Sequence, residues 1–137
     1  MNVVITLPKK LIHAIVSGAK TIEFRKSYPK DFDCRKDSVY VIEKGTQNVV
    51  AYFLVSDFQY ETNPVEIWRD YSIQIGVPFF WFMAYAPRCR SYYLWRIRKA
   101  AYLYTPLDRE LSFGLTTNPK GFVYAKYEAD PECIYVR

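Results

Sequence analysis

A chain of 137 residues, 50% apolar and 24% charged, has the composition of one compact globular domain. This argues against a disordered tail and leaves little room for two full domains, so residues 1–137 are read as a single domain. Nineteen Lys and Arg against 14 Asp and Glu give a net charge of +5, which favours anionic partners, and an aromatic content of 18% exceeds the needs of a small core.

Asn2 to Leu7 is rich in β-branched residues and predicts a short strand, after which Pro8 suits the first position of a helix. Leu11, Ile12, Ile15 and Val16 form one apolar face, and Gly18 sits where a left-handed cap stops the helix. Ala19 to Lys26 alternates Ile22 and Phe24 with Thr21, Glu23 and Arg25, the period of a strand with one polar face. Ser27 to Asp37 reads as a surface loop. Strands at Ser38 to Glu43 and Asn48 to Phe58, joined by Lys44-Gly45-Thr46-Gln47, predict an antiparallel hairpin. Two helices follow, from Pro64 to about Gln74 and from Pro78 to about Tyr85, each with Pro at its start. Ser91 to Tyr104 predicts a long strand with Tyr93, Trp95 and Ile97 on an apolar face and Tyr92, Leu94, Arg96 and Arg98 on a partly basic one. A helical turn at Glu110 to Leu115 and a strand at Phe122 to Tyr127 complete a mixed order that fits an α+β fold with a small barrel or strongly bent sheet.

Three cysteines, Cys34, Cys89 and Cys133, lie far apart with no Cys-x-x-Cys pair, and His13 is the single histidine. Structural zinc and a disulfide scaffold are therefore not expected, and the cysteines are read as buried small apolar groups. Asp31, Asp33 and Asp37 are interrupted by Arg35 and Lys36 and lack the glycine and glutamate of a calcium loop. No metal and no cofactor is expected. The apolar run from Gly76 to Pro87 is too short to cross a bilayer, and the N-terminal apolar run is too short for a signal peptide, so a cytoplasmic protein without membrane association is expected.

Chemistry concentrates in Gly18-Ala19-Lys20-Thr21-Ile22-Glu23-Phe24-Arg25. A helix cap here delivers three ionisable side chains into one short strand. A Lys and an Arg near a carboxylate can hold a phosphate or a base edge while the carboxylate fixes them. The competing readings are a surface ion pair, and a desolvated lysine acting as base or nucleophile. Gly18-x-Lys20-x-x-Glu23-x-Arg25 resembles the G-x-K-x-x-E-x-R signature of the ASCH domain, a PUA-like family. The resemblance implies a PUA-like small β-barrel with an N-terminal helix and an inserted helix pair, and a central cleft lined by the motif residues that binds RNA or a nucleotide. One branch of the family comprises amidohydrolases acting on N4-acetylcytidine through the motif Lys, a Thr three residues on and a Glu of the helical insertion. Here Lys20 matches, Glu23 stands at the Thr position, and the nearest helical carboxylates are Glu66 and Asp70, beside Gln74.

A second constellation lies between Asp70 and Asp108, an interval without acidic residues that holds Arg88, Arg90, Arg96, Arg98 and Lys99 among aromatics. Such segregation suits a surface that binds a nucleic-acid backbone. Arg96 and Arg98 are expected on one strand face, about 7 Å apart, with Tyr92 beside them to stack on a base. Phe79-Phe80-Trp81-Phe82-Met83 covers every direction of a helix and is expected to be buried or to mediate self-association.

The resulting expectation is an RNA- or modified-nucleotide-binding domain with Lys20, Glu23, Arg25, Tyr92, Arg96 and Arg98 as its binding residues. Replacement of Lys20 is expected to weaken binding without loss of stability. The alternatives are a hydrolase of the N4-acetylcytidine amidohydrolase or ribonuclease kind, with Lys20 and Glu23 catalytic, and a protein-interaction module built on Phe79 to Met83.

Overall fold

In the computed structural model, which describes residues 1–88 and 90–127, the first strand, β1 (Val3–Leu7), is buried on both faces. Val3, Ile5 and Leu7 enter one apolar cluster and Val4 a second, as the two-residue period requires. Helix α1 (Lys9–Ser17) follows, with Pro8 at its N-cap and Gly18 at its C-cap at a φ of 86°. That left-handed backbone is the reason glycine ends the helix. Ile12 and Ile15 pack it onto the first cluster.

Strand β2 (Ile22–Arg25) is shorter than the alternation of residues 19–26 predicts. The backbone before it is engaged elsewhere: the Lys20 amide donates to the Ala14 carbonyl and the Thr21 amide to the Gln74 carbonyl, both at 2.9 Å. Strands β3 (Val39–Glu43) and β4 (Asn48–Glu61) form the expected antiparallel hairpin. Helices α2 (Pro64–Ile75) and α3 (Phe79–Tyr85) come next, then the long β5 (Tyr92–Asp108), the short α4 (Arg109–Phe113) and β6 (Phe122–Tyr124). Asn63 caps α2 by accepting from the Val65 and Glu66 amides, and Asp108 caps α4 in the same way through Glu110 and Leu111.

The six strands form one sheet in the order β2-β5-β4-β3-β1-β6, with β1 and β3 parallel and the remaining pairs antiparallel. The ladder between β4 and β5 shifts register at three places, between Val49 and Ala51, Leu54 and Val55, and Val55 and Asp57. Extra residues on one strand bend it and increase its twist, so these two long strands curl the sheet into a half-barrel. Pro106 falls in the stretch of β5 that leaves the ladder between Tyr102 and Leu107, where its missing N–H costs no hydrogen bond. The expected α+β architecture, with an N-terminal helix and an inserted helix pair, is the one observed.

Three apolar clusters hold the sheet. The first lies under α1 and includes Trp95, Phe53 and Phe32; the second includes Tyr40, Leu103 and Phe113; the third, under the helix pair, joins Ile22, Ile67, Ile75, Phe82, Tyr92 and Leu94. The Ser27–Asp37 stretch is irregular, yet it is anchored by buried Phe32 and by Asp37, whose carboxylate accepts from the N-terminal amine and the Asp33 amide. Cys34 is partly buried against the first cluster, and Cys89 and Cys133 lie outside the described residues.

Burial of the whole Phe79–Met83 run is not what the fold produces. Phe82 is buried, whereas Phe79, Phe80 and Trp81 are exposed, Phe80 by 72%. A seven-residue helix lying on the third cluster turns one side inward, and apolar residues on its other sides go to solvent. No helix among the described residues is long and apolar enough to cross a membrane.

Candidate nucleic-acid interface

The turn from α1 into β2 brings the three charged side chains of the glycine-led motif together. Lys20 and Glu23 are buried, with 1% and 5% of their surface exposed, and the Arg25 side chain keeps 15%. Lys20 Nζ lies 3.5 Å from Glu23 Oε1, and Arg25 Nη2 donates to Glu23 Oε2 at 3.2 Å. One carboxylate thus sits between two cations.

Lys20 has further partners that its sequence position did not disclose. Its amine donates to the carbonyl of Ile22 at 2.7 Å and to that of Ile75 at 2.6 Å. Ile75 is the last residue of α2, and a helix ends with carbonyls that lack intrahelical partners and carry partial negative charge. The ammonium satisfies one of them and ties α2 to β2. Gly76, which ends α2 at a φ of 68°, rests on the lysine stem: a Cβ there would lie 3.2 Å from Lys20 Cβ. With all three N–H groups directed at acceptors, the amine is a structural clamp.

The electrostatics follow from burial and charge. Burial pulls the Lys20 amine below its ordinary pKa, and the neighbouring Glu23 pushes back against that shift. Burial would raise the Glu23 pKa, but Lys20 and then Arg25 outweigh it and hold the carboxyl below the usual range. Arg25 reaches outward over Trp95, its Cζ 5.7 Å from the ring centroid. Trp95 faces Glu23 across the β2–β5 ladder and is fixed by its indole N–H, which donates to the Ser27 carbonyl at 3.0 Å. Arg25 is therefore the most exposed member of the group, with one of its five donors given to Glu23.

The basic strand departs from expectation. Arg96 turns toward α2: Gln59 Oε1 of β4 accepts from its Nε and Nη2 at 2.8 and 2.6 Å, and the Tyr71 ring of α2 lies 5.5 Å away. Arg98 turns toward the loop after β2 and donates to the Cys34 carbonyl at 3.4 Å. The register shifts opposite Ile97 to Lys99 interrupt the alternation, so the two arginines leave the strand on different sides and are not a pair on one face. Tyr92 is only 4% exposed; its hydroxyl donates to the Ala86 carbonyl at 2.7 Å and its ring stacks on Phe24 at 5.6 Å. It packs beneath the helix pair and presents no face to a base. Gln59 and Tyr71, which hold Arg96, come from an unexpected strand extension and from the inserted helix. Among the described residues no group of His, Cys, Asp or Glu gathers as a metal ion would require.

No family model matches the chain, and no curated protein sequence matches it. The fold does have counterparts among solved structures. It is similar to the crystal structure of ASCH from Zymomonas mobilis, with a TM-score of 0.76 and 17% identity over 91% of this chain and 87% of that one. A serine-to-alanine variant and a tyrosine-to-phenylalanine variant of that protein give the same score and identity and are covered over 88% and 90% of their chains. The backbone described above is thus folded as ASCH proteins are.

Proposed function

We propose that this chain is an RNA- or nucleotide-binding protein of the ASCH kind, that residues 1–137 act as one domain, and that Lys20, Glu23 and Arg25 form the inner part of its binding cleft. The observation that carries the reading is Glu23 buried between Lys20 and Arg25, within the motif that resembles the ASCH signature. The roles differ. Lys20 fixes the floor by joining β2 to the end of α2, Glu23 holds the cations in place, and Arg25 contacts phosphate or a base edge. The net charge of +5 supports the same class of partner. Titration of a labelled single-stranded RNA tests the proposal: salt-sensitive binding supports it, and no binding at low salt overturns it.

The occupied donors of Lys20 favour binding over hydrolysis, because an amine that donates to two carbonyls while facing a carboxylate has no free lone pair to serve as base. A second reading, a protein-interaction surface, has its own support in the exposed rings of Phe79, Phe80 and Trp81. It predicts concentration-dependent association in sedimentation that Phe80→Ser abolishes; a wild type that stays monomeric at high concentration removes it.

A further inference from the structure

Beside Arg25, aromatic side chains from two adjacent strands, β5 and β4, and from the loop after β2 pack in a row. Arg25 on β2 stands opposite Tyr93 on β5, and Tyr93 stands opposite Tyr60 on β4. The Tyr60 and Tyr93 rings have centroids 5.3 Å apart, and Tyr28, from the loop after β2, packs on Tyr93 at 4.7 Å. Phe58 supports Tyr28 at 5.4 Å and is itself set edge-on against buried Trp95 at 5.5 Å. The rings therefore stand on a rigid base. Tyr60 is 54% exposed, and Tyr28 and Tyr93 are half-buried.

The chemistry of this row selects its partner. Tyrosine offers a flat apolar face with a polar rim, which suits nucleobases of any identity. Arg25 closes one end of the row, and Lys26 and Lys30, both exposed, stand two residues to either side of Tyr28 in the chain. Aromatic faces next to cations match a strand whose bases are unstacked and whose backbone is anionic. A duplex keeps its base faces stacked on one another and cannot offer them.

We propose that Tyr60, Tyr93 and Tyr28 form a stacking platform for unpaired bases of single-stranded RNA, with Arg25 and Lys26 holding the adjoining phosphates. The inference rests on the RNA-binding reading above and names its substrate class. The test compares a short fluorescein-labelled oligouridylate with its duplex with oligoadenylate, by anisotropy, on wild type, Tyr60→Ala and Tyr60→Phe. The single strand is expected to bind more tightly than the duplex, Tyr60→Ala to lose about tenfold in affinity with an unchanged melting temperature, and Tyr60→Phe to retain binding. If single-stranded RNA binds and Tyr60→Ala matches wild type, the platform is overturned while the RNA reading stands. Equal or tighter duplex binding also overturns it. If neither form binds, both inferences fall.

Discussion

Glu23 shows most directly how a buried charge is tolerated. A lone carboxylate this deep would be neutral, because burial opposes its charge, but Lys20 and Arg25 hold it ionised. Its pKa in the folded protein is lower than in the unfolded chain. The stability it contributes is therefore fully present above the ordinary carboxylate pKa and is lost as pH falls through that value toward the lower folded one. Thermal melts of wild type should fall on acidification, and Glu23→Gln should melt lower at neutral pH with a shallower acid slope. Parallel curves for the two proteins would contradict the assignment. That Glu23 and Arg25 share a face was legible in the spacing, because they stand two apart on a strand, whereas strict alternation would put Lys20 on the opposite face. The Ile75 carbonyl that captures Lys20 lies 55 residues away, and no local pattern encodes it.

At the scale of elements, Lys20 belongs to the joint between β2 and α2. Substitution by Met keeps the stem and removes the charge, leaving the Ile22 and Ile75 carbonyls without their donor and Glu23 with one cation fewer. Breaking a buried pair by removing one partner costs roughly 3 to 5 kcal/mol, so Lys20→Met should show a marked loss in denaturant unfolding. Wild-type stability in that variant would show the tie to be dispensable. This replaces the expectation from sequence that Lys20 could be altered without cost to the fold. Helix and hairpin boundaries were legible because caps and turns are local, as at Gly18, Asn63 and Lys44 to Gln47. The faces of β5 were not. Its register shifts depend on pairing with β4, and they separate Arg96 from Arg98. Tyr92 is buried because the inserted helix pair covers the sheet there.

At the scale of the molecule, a curled six-stranded sheet, a short N-terminal helix and an inserted helix pair converge on the turn that carries Lys20, Glu23 and Arg25. The similarity to an ASCH protein at 17% identity fits a fold defined by element order and by which positions are apolar, with most side chains free to differ. The charge excess gives long-range attraction for an anionic ligand, and the cleft, on our proposal, gives it an address. The most direct test of that account is the affinity of single-stranded RNA for wild type and for Arg25→Lys across a series of salt concentrations. Lysine keeps a cation beside Glu23 and so preserves the fold, but it loses the planar fork and the stack on Trp95. The account predicts salt-dependent binding by wild type and about tenfold weaker binding by Arg25→Lys, the loss of a charge-assisted hydrogen bond. Equal affinities at every salt concentration would contradict it.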